Sequence, residues 1–272
     1  MTLPTKAVVL ARGLGTRMRV PAAATALAPD QAAAADTGMK GMIPVGGRPF
    51  LDYLLAALAD AGFTDVCLVI GPEQGAFRDR YVSNPDVRRL RVASAVQHQA
   101  RGTADAVLCA SDFVGTDVFL LLNSDNYYPP ALLAEVRRQQ PPALPAFNRQ
   151  ALVRDGGIPP ERIARYALLD VDPDGSLRRI VEKPDRATLD SLGDAPVSMN
   201  CWLLTPGIFD ACRDVPLSPR GELELPLAVQ YAIDALGMRF TTVRTDAPVL
   251  DLSHREDIPV VAARLESIDV RL

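Results

Sequence analysis

Along the first half of the chain, short apolar runs alternate with longer stretches whose apolar positions recur at helical spacing. Lys6–Leu10 is a short apolar strand that runs into the glycine turn Arg12–Gly15. Leu51, Leu54, Leu55 and Leu58 share one helical face between Phe50 and Ala61, and Gly62 stops that helix. Asp65–Ile70 is β-branched and apolar again, and Arg91–Gln97 is a weaker strand. Thr103–Ser111 reads as a helix and Asp117–Leu122 as a fully buried strand. This βαβαβ alternation predicts a parallel, doubly wound sheet.

The pattern changes after Asp125. Proline punctuation at Pro129–Pro130 and Pro141–Pro145 gives way to strands at Arg165–Val171, Leu177–Val181 and Val197–Leu204. The turn-like Asp172-Pro-Asp-Gly175 makes the first two a hairpin. Helices follow at Gly207–Cys212 and Glu222–Leu236, then a strand at Phe240–Arg244 and a terminal helix at Arg255–Ile268. Neither a clean linker nor an internal repeat divides the chain, which predicts a single domain over 1–272 whose halves meet near residue 126. The alanine-rich stretch Pro21–Ala35 stands out as a mobile or helical insertion, or, within residues 20–38, as a lid over a binding site.

Composition narrows the class. With 272 residues, 48% of them hydrophobic, the chain can bury a substantial core. A net charge of -4 gives no global attraction to nucleic acid or an anionic membrane, so a small-molecule partner is expected. The N-terminal segment fits neither a signal peptide nor a spanning helix, which reads as cytoplasmic. Cys67, Cys109, Cys201 and Cys212 are scattered through apolar stretches and read as reduced thiols rather than zinc ligands or disulfides. With only two histidines, any divalent ion would rest on carboxylates, which suits Mg²⁺. The sequence leaves a homo-oligomer open.

The loop after the first strand, Ala11-Arg12-Gly13-Leu14-Gly15-Thr16-Arg17, has the glycines to let backbone N–H groups approach a phosphate. It lacks the third glycine of a dinucleotide fingerprint and the Gly-Lys-Ser/Thr of a P-loop. A tight strand-to-helix turn would use the same residues. Arg17 adds a planar fork for phosphate oxygens, and Lys40 a point charge for the same triphosphate.

The run Leu10–Met18, followed by Lys40-Gly-Met-Ile-Pro44 and the stretch to Tyr53, resembles the signature region of the sugar-1-phosphate nucleotidyltransferases. These are the glucose-1-phosphate thymidylyl- and uridylyltransferases. Arg12 replaces the family's usual small residue, and Arg17 and Lys40 stand further apart than is usual. The resemblance implies a single-domain, Rossmann-like (GT-A-like) α/β fold: a mixed, mainly parallel sheet flanked by helices. Residues 1–126 then form a nucleotide-binding half and 127–272 an acceptor-binding half. It also implies catalysis of Mg²⁺-dependent transfer from an NTP to a sugar 1-phosphate, giving an NDP-sugar and pyrophosphate.

Further segments carry the resemblance in order along the chain. Gln97-His-Gln-Ala-Arg-Gly-Thr-Ala104 is similar to the family segment in which a glutamine and a Gly-Thr backbone read the base, here Gln97, Gly102 and Thr103. An amide suits a pyrimidine edge, mildly favouring a pyrimidine NTP. A solvated strand end is the plain alternative. Asp125, at the end of a buried strand, resembles the first metal ligand, and Asp251 the second, although Leu-Ser follows it where the family has glycine. Either aspartate would also serve as an ordinary turn former. Glu182-Lys183-Pro184 resembles the motif whose glutamate binds acceptor hydroxyls and whose lysine binds the acceptor phosphate. Asn200 offers an amide to a sugar hydroxyl, and Trp202 a stacking face or core bulk. Gly221-Glu-Leu-Glu-Leu225 resembles another family motif with its Thr-Asp replaced by Pro226-Leu227; Glu222 there holds an acceptor hydroxyl or favours a helix start.

On these residues Arg17, Lys40 and Asp125 are expected to act in catalysis. Ala11, Gly13, Leu14, Gly15, Thr16, Gln97, Gly102 and Thr103 are expected to bind the nucleotide. Glu182, Lys183 and Asn200 are expected to bind the acceptor, and Asp125 with Asp251 the metal. Two other readings remain at this level: a cytidylyltransferase acting on a non-sugar phosphate such as phosphocholine, and a regulatory protein that binds nucleotide sugar without turnover.

Overall fold

The computed structural model describes residues 2–20, 27–82 and 84–272. Seven strands form its main sheet: β1 (Lys6–Leu10), β2 (Asp65–Ile70), β3 (Arg91–Val96), β4 (Phe119–Asn123), β5 (Ala143–Phe147), β6 (Trp202–Leu204) and β7 (Thr241–Thr245). Their order is β7-β5-β6-β4-β1-β2-β3. β6 runs antiparallel to both neighbours, and every other pairing is parallel. The sheet is therefore mixed and mainly parallel, as the alternation of elements predicts, with strands from both sides of residue 126.

The strand period of two sends alternate side chains to two cores. Ala7, Val9, Leu120 and Leu122 face one, and Val8, Phe119 and Leu121 the other. A strand buried on both faces has no polar positions to spare, which is why Phe119–Leu122 is a continuous apolar run. Helices Phe50–Asp60, Pro130–Arg137 and Asp257–Leu265 cover the first face. Thr103–Leu108, Ile208–Asp214 and Leu225–Asp234 cover the second, where Phe119 stacks on Phe209 with centroids 5.7 Å apart. Each fully buried leucine in these layers contributes about 1.5–3 kcal/mol.

β1 sits where the winding reverses. The chain leaves it for β2 and β3 on one side and returns to β4 on the other. Ala11 N–H donates to Val69 O at 2.8 Å and Ser124 N–H to Leu10 O at 3.0 Å, so the loops after β1 and β4 open from a common edge. Such a reversal leaves a crevice beyond the strands' C-terminal ends, the usual place for a ligand in an open α/β sheet.

Several elements differ from the sequence expectation. Pro141–Pro145 reads as punctuation, yet β5 includes Pro145. Thr241 N–H donates to Pro142 O, so even-numbered residues of β5 pair with β7 and Pro145 faces β6. Pairing with β6 is limited to Leu203 opposite Ala143, so Pro145, two residues on, lies beyond the paired part of that ladder. Thr103–Ser111 divides into helices Thr103–Leu108 and Ser111–Val114. The expected strand Val197–Leu204 is regular only over Trp202–Leu204, because Asn200 takes a left-handed conformation with φ 57. Helix Leu225–Asp234 starts later than Glu222, with Pro226 in its first turn.

Part of the alanine-rich insertion, residues 21–26, lies outside the described residues. The remainder forms helix Pro29–Thr37, tied down at two points. Gln31 Nε2 donates to Pro44 O at 2.9 Å, and Asp36 pairs with the buried guanidinium of Arg255. Among the described residues no helix is long and apolar enough to cross a membrane. All four cysteines are free thiols, three of them buried.

Candidate active site

The glycine loop occupies the crevice edge. The backbone N–H groups of Arg12, Gly13, Leu14, Gly15 and Thr16 make no hydrogen bond to described residues, so five donors are available after β1. Gly15 has φ 59, and a Cβ there would lie 2.2 Å from Gly38 O. Only glycine lets the loop and the chain before Lys40 approach so closely. Helix Thr16–Arg19 follows, with Met18 buried and Thr16 and Arg17 exposed. Arg255 Nε donates to Met18 O at 2.8 Å, which pins this turn to the segment carrying Asp251.

Lys40, at the start of the 3-10 turn Lys40–Met42, donates from Nζ to Asp125 Oδ2 at 2.8 Å. Asp125 follows β4 directly. The short strand Leu250–Asp251 pairs antiparallel with Asn126–Tyr127, and Leu252 N–H donates to Asp125 O at 2.8 Å. Residues distant in sequence thus bring both predicted carboxylates together. Asp251 is almost enclosed: it accepts from Tyr166 Oη and Ser253 Oγ at 2.9 Å and from Asn126 Nδ2 at 3.3 Å. It also forms an ion pair with Arg162, which bridges to Asp257. Burial raises the Asp251 carboxyl above its usual range and the charge of Asp125 raises it further, while Arg162 and Lys40 pull it down. His254 is pushed down by burial and by the positive charges of Arg162 and Arg17.

Sequence reasoning missed Arg162, Tyr166 and Asp257. Arg162 lies in the single-turn helix Pro160–Ile163, too short to show a period, and Tyr166 reads as the start of a strand. Asp257 had a usable signal. A carboxylate four residues after Ser253 can accept the N–H groups of that turn, and it does so from Ser253 at 2.9 Å and His254 at 2.7 Å.

Across the crevice, buried Gln97 follows β3 directly. Its Nε2 donates to Gly102 O at 3.0 Å and Asp105 Oδ2 at 2.8 Å. Both partners are acceptors only, which fixes the amide's orientation and leaves Oε1 as its free face. Thr103 Oγ1 accepts the N–H of Leu225 at 2.8 Å, and Ala104 N–H donates to Leu223 O at 2.8 Å, so this turn is braced by the chain's second half. Gly102 has φ 114, and a Cβ there would lie 2.3 Å from Leu223 O. Gly102→Ala is expected to cost about 1–3 kcal/mol in thermal or urea unfolding; an unchanged midpoint would show that the turn tolerates a side chain.

The hairpin strands Leu168–Val171 and Leu177–Val181 place Leu168 opposite Val181, so Glu182 and Lys183 emerge just past the hairpin's open end. Lys183 and Asn200 are the non-glycine residues with positive φ among those described, at 45 and 57. Such conformations are costly for a branched-off side chain and concentrate at functional positions. Glu182 opens to solvent on one side, yet loss of hydration and the charge of Glu224 raise its carboxyl. Glu222 is exposed, and its charge acts on Arg220 together with those of Glu224 and Glu182. The buried carboxylate is that of Glu224, the residue preceding helix Leu225–Asp234, and it pairs with Arg220 at 2.7 Å. Trp202 is fully buried in the second core and offers no stacking face to the site.

Comparison with known proteins shows the family and the fold. The sequence model of the family described as nucleotidyl transferase matches residues 6–247. The UTP–glucose-1-phosphate uridylyltransferase AglF of Haloferax volcanii is 29% identical over 96% of this chain and 96% of its own length. A glucose-1-phosphate thymidylyltransferase of Streptomyces antibioticus is 30% identical over 84% of this chain, which spans only 57% of that relative. In fold, a UDP-glucose pyrophosphorylase crystallised with UDP-glucose superposes with a TM-score of 0.75 at 17% identity, over 96% of this chain and 98% of the other.

Proposed function

This chain belongs to the nucleotidyl transferase family, and on that premise we propose that it joins UTP or dTTP to a hexose 1-phosphate, giving an NDP-sugar and pyrophosphate. The observation that carries the reading is the pairing of Leu250–Asp251 with Asn126–Tyr127, which sets Asp251 beside the Lys40–Asp125 pair at the mouth of the glycine loop. The acceptor's phosphate oxygen attacks the α-phosphorus, the bond to the β-phosphate breaks, and pyrophosphate leaves. Positioning and charge stabilisation are the protein's work in such a displacement.

The loop N–H groups of residues 12–16 receive the triphosphate oxygens, and Arg17, exposed beside them, takes up charge at the α-phosphate. Lys40 is displaced from Asp125 toward the phosphates as they arrive. Lys183 meets the acceptor's phosphate, and Glu182 and Asn200 its hydroxyls. Asp125 and Asp251 would hold a magnesium ion: they are hard oxygen donors brought to adjacent positions by the pairing of Leu250–Asp251 with Asn126–Tyr127, and Asp251 would exchange a contact with Arg162 or Tyr166 for it. Two carboxylates are a usual protein share for this ion, whose remaining positions go to water and phosphate. When bound, magnesium neutralises charge on the triphosphate.

Gln97 favours uracil or thymine. Its free Oε1 accepts from the N3–H of an imide but faces a lone pair on N3 of cytosine. That argues against the cytidylyltransferase reading.

Pyrophosphate release with UTP or dTTP, glucose 1-phosphate and Mg²⁺ tests the proposal. Release should require the sugar phosphate, and Lys183→Ala should raise its KM about tenfold or more with little change for NTP. Release that is independent of any sugar phosphate, or nucleotide binding without turnover across a panel of sugar phosphates, overturns it.

A further inference from the structure

Arg12 stands at the first position of the glycine loop, where a small residue would leave the crevice floor open. Its guanidinium reaches from the end of β1 across to the end of β3 and donates from Nη2 to His98 O at 3.3 Å. Among the described residues that long bond is its one anchor. Nε and Nη1 are enclosed and have no hydrogen-bond partner among the described residues. Enclosed guanidinium donors without acceptors are costly, and buried polar groups left so are uncommon. The side chain has more to gain from an incoming acceptor than it loses by leaving His98.

The surroundings say which acceptor. His98 follows Gln97, and the charge of Arg12 draws down the Cys109 thiol that burial and Asp105 push up. Arg12 is therefore close to the Gln97–Asp105 pair, at the base end of the crevice. An imide base presents carbonyl, N3–H, carbonyl along one edge. Its complement is donor, acceptor, donor. Gln97 Oε1 is the acceptor, and the N–H of Gly102, unpaired among the described residues, supplies one flanking donor. The second donor is missing from the Gln97–Gly102 turn.

We propose that Arg12 supplies it: a specificity-determining residue whose guanidinium donates to a pyrimidine carbonyl adjacent to the N3–H accepted by Gln97. This rests on the nucleotide placement proposed above. It adds a contact that a glycine or alanine at this position could not make. Arg12 thus ties base identity to the same loop that holds the phosphates.

Equilibrium binding of UTP, 2-thio-UTP, 4-thio-UTP and ATP to the full chain, without acceptor, tests it on wild type, Arg12→Ala and Arg12→Lys. Sulfur is a poor acceptor, so one thio analogue should bind wild type about tenfold more weakly than UTP. Arg12→Ala should weaken UTP by a similar factor and abolish that difference. Arg12→Lys should restore part of it, and its thermal melt guards against misfolding of the alanine variant. Equal weakening of UTP and ATP would make Arg12 a phosphate contact, and unchanged UTP binding would make it filler; either overturns the inference. Because binding is read without turnover, Arg12-dependent UTP recognition in a protein that transfers nothing would fail the proposed function alone.

Discussion

Asp125→Asn is expected to lower kcat about a hundredfold to a thousandfold while leaving the fold intact. Asp125 holds its neighbour strand through its carbonyl, which accepts Leu252 N–H at 2.8 Å, and asparagine keeps that group. Its side chain is partly open to solvent, with 22% exposure, and among the described residues its one ion pair is to Lys40. A partly exposed pair contributes about 1 kcal/mol or less. On the proposed reading the chemical loss is larger, because the amide removes a negative charge from the pair that would hold the magnesium ion. Lys40 would also lose the partner that holds it at the crevice edge. Steady-state pyrophosphate release, alongside a thermal melt, checks both halves. Turnover within threefold of wild type would remove Asp125 from the reacting centre.

The legible part of this protein is what local periodicity and short motifs can carry. β1, β2 and β4 are apolar at consecutive positions because both their faces are covered, and their order with the intervening helices predicted the parallel part of the sheet. The loop from Arg12 to Arg17 and Asp125 were visible as residue types at strand ends, and Asp251 through the family resemblance. What holds them was not. Arg162 reaches Asp251 from 89 residues away and Arg255 reaches Met18 from 237 away, distances over which a single sequence carries no pairing signal. β5 was hidden for a different reason: Pro145 is a breaker by local rule, and only the sparse pairing with β6 makes it harmless. Within one motif, Glu222 and Glu224 are indistinguishable as letters, and it is the late helix start at Leu225 that buries the second.

The second large effect concerns stability. Arg162→Ala is expected to destabilise the protein by roughly 3–5 kcal/mol near pH 7, read by urea unfolding. Arg162 is the common partner of Asp251 and Asp257, and their side chains are 7% and 13% exposed. Without it, Asp251 faces Asp125 with only Lys40 opposing, in a setting where burial already raises its carboxyl. A carboxyl whose folded pKa lies above its unfolded value binds its proton more readily in the fold. Its penalty is therefore absent below the unfolded pKa and grows as pH rises to the folded one. The deficit of the variant should accordingly shrink in acid and be fullest near neutrality. Mg²⁺ should recover more stability in the variant than in wild type, because a cation binding the folded state alone stabilises it and here replaces a lost charge. Arg162→Lys keeps that charge but cannot bridge both carboxylates with one planar fork, so an intermediate loss is expected. A deficit that is constant from pH 4 to 8 and indifferent to Mg²⁺ would mean that Arg162 acts through packing alone, and that Asp251 is not held ionised beside Asp125.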